Sequence, residues 1–254
     1  MKITVLGSGT SQGVPVIACD CEVCTSDDSR DNRLRCSILV ETDETTVVID
    51  TGPDFRTQML NAKVKDLDAV VFTHEHKDHV AGLDDIRAFN FKRKGKEMDV
   101  YATTGVQEAL KREFSYVFAE NKYPGVPEIN LKTIDNNDFR IGNISFKPID
   151  VMHFKLPVKA FRIGNFAYVT DTNYIAEEEK EKLKNLDVLI LTALRIKKHI
   201  SHFNLEEAVS LIEELKPKKA YLTHISHLMG MHKKVQPTLP KNIELAYDGL
   251  QFEV

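Results

Sequence analysis

Three imidazoles and two carboxylates fall within six residues, just after an apolar run. The run is Ala69-Val70-Val71-Phe72, and the cluster that follows it is His74-Glu75-His76-Lys77-Asp78-His79. Histidine is the commonest transition-metal ligand and aspartate supplies a hard oxygen, so alternating residues of this segment can face two neighbouring ions. A polar turn with chance histidines is the plainer interpretation, but further candidate ligands follow strands downstream. The segment therefore predicts a metal site at a strand end.

Three of these further candidates stand just beyond predicted strands. His153 follows the run 144–150, Asp171 ends the run 166–170 and His224 ends the run 219–223. Open α/β sheets place ligands beyond strand ends, because the loops there can converge while the strands stay rigid. We therefore expect one cavity to collect these side chains together with the cluster at 74–79.

Three of the four cysteines, Cys19, Cys21 and Cys24, lie within six residues. Disulfides within so short a loop would be strained and would leave one thiol unpaired. Ligation of zinc by thiolates explains the crowding better, although a tetrahedral site needs a fourth ligand beyond these three. Cys36 lies in a strand-like run, where a small half-buried residue is a better interpretation than a ligand.

The composition indicates one domain without a strong net electrostatic field. The 254 residues are 42% apolar, which is enough for a single large α/β domain spanning 1–254. The net charge of -4 gives no general attraction to nucleic acid or membranes, and the basic run 92–96 is typical of a solvated face. The start of the chain lacks a signal-peptide pattern, and no segment has a membrane-spanning apolar length. We expect a cytoplasmic protein.

The pattern alternates strands and helices. Predicted strands are 2–7, 36–41, 45–50, 69–73, 98–102, 129–134, 144–150, 159–163, 166–170, 187–192, 219–223 and 243–247. Predicted helices are 54–62, 80–92, 105–119, 176–185 and 204–215. The last begins at the capping residue Asn204 and stops before Pro217. This alternation alone supports only an α/β fold.

In their order along the chain, these motifs resemble the metallo-β-lactamase-fold hydrolases. The resemblance also covers Gly7-Ser8-Gly9-Thr10 and Asp50-Thr51-Gly52, so it spans nearly the whole chain. It implies a four-layer αββα sandwich with a binuclear metal site along one edge. It also implies a first ion bound by His74, His76 and His153, a second bound by Asp78, His79 and His224, and a bridging Asp171. Such a donor set would leave two divalent ions able to acidify a shared water.

A narrower resemblance links the cysteine loop to the branch that contains the carbon-phosphorus lyase accessory phosphodiesterase. The residues that carry it are Gly13-Val14-Pro15, the cysteines that follow, and Thr223-His224-Ile225-Ser226-His227. It implies a structural zinc held by Cys19, Cys21, Cys24 and His227, which would clamp the N-terminal loop 8–35. The pyrroloquinoline quinone biosynthesis B protein has a similar cysteine loop, so the loop alone does not define a reaction.

A histidine before the last predicted helix is a second candidate catalytic group. His202-Phe203-Asn204 resembles the segment that lies by the scissile phosphate in ribonuclease Z and the cyclic phosphodiesterases. Unpaired N–H groups at a helix start favour an anion there. His199 competes with His202 for this role, and we favour His202. We interpret His232 as an ordinary surface residue.

Together the resemblances imply a metal-dependent phosphodiesterase acting on small, cyclic phosphodiesters. A hydroxide bridging two Zn or Mn ions would attack phosphorus, Asp78 would orient it, and His202 would protonate or hydrogen-bond the leaving oxygen. The alternatives are a ribonuclease Z-like nuclease, a thioesterase or lactonase, and a non-catalytic metal-binding protein of the pyrroloquinoline quinone B type. The expected partner is a small phosphodiester, with nucleic acid only as a small cyclic nucleotide, and relatives suggest a homodimer.

Overall fold

Two mixed sheets, each with a run of parallel strands, form the centre of the structure. The computed structural model describes residues 1–254. The strands are β1 (Lys2–Gly7), β2 (Ser37–Glu41), β3 (Thr46–Ile49), β4 (Ala69–Val71), β5 (Met98–Ala102), β6 (Ile129–Thr133), β7 (Phe139–Ile141), β8 (Ile144–His153), β9 (Leu156–Ile163), β10 (Phe166–Val169), β11 (Tyr174–Ile175), β12 (Val188–Thr192), β13 (Lys219–Thr223), β14 (Ile243–Leu245) and β15 (Gln251–Glu253).

The first sheet has the order β15-β1-β2-β3-β4-β5-β6, and β3 to β6 are parallel. The second has the order β11-β8-β9-β10-β12-β13-β14, with β7 added on β8, and β10 to β14 along this path are parallel. The carboxyl ends of parallel strands in one sheet meet at one edge. Loops after β3, β4, β10 and β13 can therefore supply side chains to a common site.

Helices cover the outer faces of both sheets. They are α1 (Phe55–Asn61), α2 (Lys77–Val80), α3 (Arg87–Lys92), α4 (Thr104–Glu113), α5 (Glu177–Lys180), α6 (Leu205–Leu215) and α7 (His232–Val235). Short 3-10 turns lie at Ser29–Asp31, Leu83–Ile86, Glu181–Leu183, His227–Met229 and Gln236–Thr238. None of these helices has the combined length and apolar character needed to cross a bilayer.

Three apolar cores separate the four layers. Phe146, Phe161 and Tyr168 lie fully buried in the core between the two sheets. A second core joins the first sheet to α1, α3 and α4, and a third joins the second sheet to α6. Burial at roughly 25 cal/mol per Å² of apolar surface makes these cores the main source of stability. The predicted αββα sandwich is confirmed.

Several predicted elements differ from those observed. The helix predicted at 80–92 is broken, because the Gly82 amide donates to the Thr51 carbonyl and a Cβ on Gly82 would lie 2.2 Å from the Gly52 oxygen. The helix predicted at 105–119 ends at Glu113, and that predicted at 176–185 is one α turn followed by a 3-10 turn. The short strands β7, β11 and β15 were not predicted. The last helix is confirmed, with a complete capping box at Asn204.

Candidate metal centre

Three candidate site residues adopt left-handed backbone conformations just beyond strands. Asp50 follows β3 with φ 66°, Asp171 follows β10 with φ 40°, and His224 follows β13 with φ 57°. Residues other than glycine rarely adopt a positive φ, and such strain concentrates at functional sites. At each of these positions the chain turns sharply out of its strand. All three side chains are buried, at 2% exposure or less.

The turns bring all of the predicted active-site ligands to one place. Donor atoms within 4.8 Å of one another form three groups that share Asp171. The groups are His74, His76 and Asp171; Asp78, His79, Asp171 and His224; and His153, Asp171 and His202. The first two groups contain six of the seven predicted ligands, and the seventh, His153, groups with Asp171 and His202. His153 lies beside the first group, with its ring centroid 5.1 Å from that of His76.

Asp171 lies between the two groups. Its Oδ2 is 3.7 Å from Nε2 of His74 and 3.3 Å from Nε2 of His224. Its Oδ1 is 3.3 Å from Nε2 of His79. The two oxygens of one carboxylate therefore face histidines of both groups, which is the arrangement that a bridging ligand requires.

The unpaired atoms of the site fit a cation. The Nε2 atoms of His79 and His224 are buried and have no hydrogen-bond partner, although buried polar atoms normally have one. Burial lowers the pKa of His79, but the three carboxylates around its ring outweigh burial and raise the pKa well above its usual value. The carboxylates thus favour a positive charge beside His79, and the pocket offers nitrogen and oxygen donors. This donor chemistry fits zinc or manganese.

A buried hydrogen-bond chain orients the histidines from behind. The Asp50 carboxylate accepts from Nδ1 of His79 at 2.7 Å and from the Thr73 hydroxyl at 2.8 Å. That hydroxyl lies 3.0 Å from Nδ1 of His74 and can accept from it. His153 Nδ1 donates to the Ser201 carbonyl at 2.7 Å. Each of these contacts leaves Nε2 directed toward the centre, which is how metal-ligating histidines are commonly held.

His202 is buried beside the centre. Its ring centroid lies 4.6 Å from that of His224 and 4.4 Å from that of His153, and its Nδ1 has no partner. Burial and the neighbouring His224 lower the pKa of His202 to about 2, so the ring is neutral. His199 is half-buried, interacts with Ser201 and belongs to none of the donor groups. Of the two histidines, only His202 lies at the centre.

The cysteine loop forms a second donor cluster. Nδ1 of His227 lies 3.2 Å from Sγ of Cys19, 3.4 Å from Cys21 and 3.5 Å from Cys24. The backbone N–H of Cys24 lowers the pKa of Cys21 to about 6, while burial raises the pKa of Cys24 to about 11. Without a bound cation, therefore, the three cysteines are not all in the thiolate form. Three sulfurs and one imidazole nitrogen are the donor set of a closed tetrahedral zinc site.

This cluster lies beside the metal centre because of a short bridge. Gly9 pairs with Ile225, so the N-terminal loop is joined to the segment that carries both His224 and His227. The loop itself has only a small apolar core, made by Val14, Val23 and Met231. A tetrahedral zinc would supply the cross-link that so small a core lacks.

Two further residues, His232 and Cys36, test interpretations that were made from the sequence. The interpretation of His232 as a surface residue is wrong. His232 is 3% exposed, its Nδ1 lies 3.3 Å from a guanidinium nitrogen of Arg33, and its amide donates to Asp31. It follows a 3-10 turn that folds it inward. Cys36 lies outside the cysteine cluster and is fully buried, with Sγ 3.1 Å from the Thr223 hydroxyl.

The sequence offered only a partial signal for Asp50. The motif Asp50-Thr51-Gly52 contains it, but the sequence assigns it no role. Its contacts make it the residue that orients His79, and Gly52 explains the rest of the motif. A Cβ on Gly52 would lie 2.1 Å from the Asp78 carbonyl oxygen, so only glycine lets these two loops approach.

Comparison with known proteins identifies the family. Residues 45–225 match a family model described as the beta-lactamase superfamily domain, and the chain belongs to that superfamily. Fold and site together define a metal-dependent hydrolase. A crystal structure described as a new diphosphatase from the PhnP family is similar to the chain, with 42% identity and a TM-score of 0.94. The match covers 100% of this chain and 96% of that one.

Two other relatives set limits on what can be transferred. A protein named octanoyltransferase, from Porphyromonas gingivalis (strain ATCC BAA-308 / W83), is 41% identical over 99% of this chain. This chain spans only 51% of that protein, so half of it has no counterpart here. The zinc-bound PqqB structure from Methylobacterium extorquens is 19% identical with a TM-score of 0.79, and covers 100% of both chains. At that identity the likeness shows the fold alone.

Proposed function

We propose that this protein hydrolyses small phosphodiesters, with cyclic phosphodiesters as the preferred class. The observation that carries the proposal is the position of Asp171 between two groups of histidines, because a shared carboxylate is what a two-cation hydrolase needs. His74, His76 and His153 would hold one cation, and Asp78, His79 and His224 the other. When bound, two divalent cations supply Lewis acidity, which acidifies water and neutralises charge on phosphoryl oxygens.

The residues of the chain have separate tasks in this proposal. Asp171 and the imidazoles would hold the cations, and Asp50 holds His79 in one orientation. Asp78 would hold one cation and would also orient the attacking water. The neutral His202 ring donates a hydrogen bond to the leaving oxygen or to the phosphoryl group, since its low pKa disfavours a role as a proton donor.

Phosphodiesters are preferred over other substrates for two reasons. A crowded, cationic centre with a neutral hydrogen-bond donor suits an anionic, multi-oxygen group better than a neutral thioester or lactone. The 42% identical neighbour is described as a diphosphatase, which is also phosphorus–oxygen chemistry. Cysteines 19, 21 and 24 with His227 would hold a separate structural zinc.

Processing of a long RNA is not supported by the charge distribution. Arg93, in the basic run, is paired with Asp66 and Asp68, next to the start of β4. The metal centre follows the opposite end of β4, beyond Phe72. Arg93 is therefore neutralised at the end of β4 away from the centre, which supports a small diester over a long RNA as substrate.

A substrate panel tests the proposal. The protein would be purified, loaded with zinc or manganese, and assayed against bis(p-nitrophenyl) phosphate, 2′,3′-cyclic nucleotides, linear dinucleotides and an acyl thioester. We expect about three metals per chain and turnover of the diesters that exceeds thioester turnover. One tightly held zinc and no diester turnover would instead favour a non-catalytic metal-binding protein. A higher rate on the thioester would overturn the choice of phosphorus chemistry.

A further inference from the structure

A cavity adjoins the metal centre on the side of His74. Its volume is about 350 Å³, within the usual range for small-ligand sites of roughly 300–1,000 Å³. We call it the Glu75 cavity. Its lining consists of His74 and Glu75, of Thr103, Gly105 and Val106 at the start of α4, and of Asp150 with the hairpin residues Leu156–Lys159.

Two contacts tie this cavity to the centre. His74, a predicted ligand, lines it directly. Leu156 also lines it and pairs across the β8–β9 hairpin with His153, another predicted ligand. A phosphodiester held at the centre has two substituents. The cavity is adjacent to the place where one of them would lie, and His202 packs against His153 with the ring centroids 4.4 Å apart.

The charges of the lining exclude a second anion. Lys159 is 8% exposed and forms an ion pair with Asp150 at 2.6 Å, so their charges cancel within the cavity wall. Glu75 remains as a half-buried carboxylate, and Lys159 is not its partner, because the Lys159 ammonium binds Asp150 and Asn136 instead. The net charge of the lining is therefore -1, which repels a further phosphate and favours an uncharged group that donates hydrogen bonds.

The shape and the apolar part of the lining indicate which kind of uncharged group fits the cavity. Gly105 lines the cavity from the first turn of α4, and no atom lies within 4 Å of where its Cβ would be, so a larger side chain can be placed there without a clash. Val106, Leu156 and Val158 supply apolar surface beside the polar groups. A sugar-like ring, with hydroxyls on its rim and carbon on its faces, satisfies both parts of this wall.

We propose that the Glu75 cavity binds the uncharged, hydroxyl-bearing substituent of the substrate, with the Glu75 carboxylate accepting hydrogen bonds from its hydroxyls. This rests on the proposed function and deepens it, because it assigns residues that select the substituent. Charge-assisted hydrogen bonds of this kind are the stronger ones, and carboxylates elsewhere read ribose hydroxyls in the same way.

Two cyclic phosphates, with and without the substituent, test this proposal. They are uridine 2′,3′-cyclic phosphate and the cyclic phosphate of ethylene glycol. Gly105→Leu fills the open space, and Glu75→Gln weakens the acceptor. For each variant we expect the ratio of kcat/KM for the uridine ester to that for the ethylene ester to fall about tenfold or more, mainly through KM. Thr104→Leu, exposed on the same helical turn, is the matched control and should leave the ratio unchanged.

A binding measurement keeps the proposal testable without turnover. Uridine, which lacks phosphate, should shift the amide signals of Thr103–Val106 in the zinc-loaded protein, and Gly105→Leu should abolish the shift. An unchanged substrate ratio in both variants with full metal content would overturn the role of the cavity, while wild-type turnover of the ethylene ester would leave the proposed function standing. A metal-loaded wild type that hydrolyses neither ester would contradict the proposed function. In that case the uridine binding experiment alone tests the cavity, and absence of a shift in the wild type would overturn the role proposed for it.

Discussion

Oδ2 of Asp50 lies 2.7 Å from Nδ1 of His79, and the same oxygen accepts from the Thr73 hydroxyl. One buried carboxylate thus fixes His79 directly and His74 through Thr73, although these two histidines face different halves of the centre. A carboxylate behind a ligating histidine sets both the tautomer and the basicity of the ring. Asp50 therefore acts on both proposed cations without touching either.

Asp50→Asn should weaken metal binding without emptying the cysteine site. The amide lacks the negative charge that faces His79, and its NH2 group cannot accept from the Thr73 backbone N–H, which donates to the other carboxylate oxygen of Asp50. Loss of such a partner typically lowers metal affinity about 10–100-fold. Competition with a chelator, read by elemental analysis, measures this. Asp43→Asn, at an exposed position, is the control. Equal affinity in Asp50→Asn and wild type would show that Asp50 does not position the ligands.

His202→Ala should keep its metals and lose turnover. Removal of one preorganised donor from a reacting oxygen typically costs about 10²–10³-fold in kcat. If the donor serves the leaving oxygen, the loss should be greater for a 2′,3′-cyclic nucleotide, whose leaving group is an alkoxide, than for bis(p-nitrophenyl) phosphate. His199→Ala should stay near the wild-type rate. Undiminished turnover of both esters by His202→Ala would eliminate the assigned role.

Cys21→Ser should release one metal per chain and loosen the N-terminal loop. The loop core is limited to Val14, Val23 and Met231, so a zinc cross-link carries much of its stability. Zinc content would fall by about one, and limited proteolysis would cut within residues 8–35. Cys36→Ser, at the buried cysteine outside the cluster, should retain all zinc. If Cys21→Ser kept the full zinc content, the structural site would be wrongly assigned.

The buried His232 should make stability depend on pH. Burial, followed by the Arg33 charge, lowers the pKa of His232 to about 4. A histidine whose folded pKa is depressed stabilises the fold above its unfolded pKa of about 6.5, and this contribution is lost as pH falls from there toward 4. Between pH 6.5 and 5, wild type should therefore lose up to about 2 kcal/mol more unfolding free energy than His232→Gln.

The glutamine variant keeps a side-chain acceptor for Arg33 but cannot titrate in this range. Urea denaturation of both proteins at the two pH values cancels the contribution of the metal ligands, because both proteins contain them. Parallel losses in the two proteins would mean that His232 is not held neutral against Arg33.

Local patterns in the sequence predict much of the architecture. Apolar strands, strand-end polar residues and the Asn204 cap are local signals, and all of them mark real elements. The break at Gly82 was not predictable, because it depends on contact with Gly52, thirty residues away in the chain. The two-residue strand β11 is likewise defined by its partner β8.

The site likewise combines features that the sequence predicts with features that only the fold determines. The residue types of the ligands stand out in the sequence, so their grouping could be anticipated. The tasks of Asp50, Thr73 and the Ser201 carbonyl depend on distances across the fold, which no spacing expresses. His232 was misjudged for a similar reason: its partners Arg33 and Asp31 lie some two hundred residues away along the chain.

Anomalous scattering from crystals grown with ample zinc or manganese tests the central claim most directly. The account predicts two peaks flanking Asp171, about 3.5–4 Å apart, and a third within bonding distance of Cys19, Cys21, Cys24 and His227. A map with no peak near the Asp171 carboxylate, in crystals whose cysteine cluster is loaded, would contradict it.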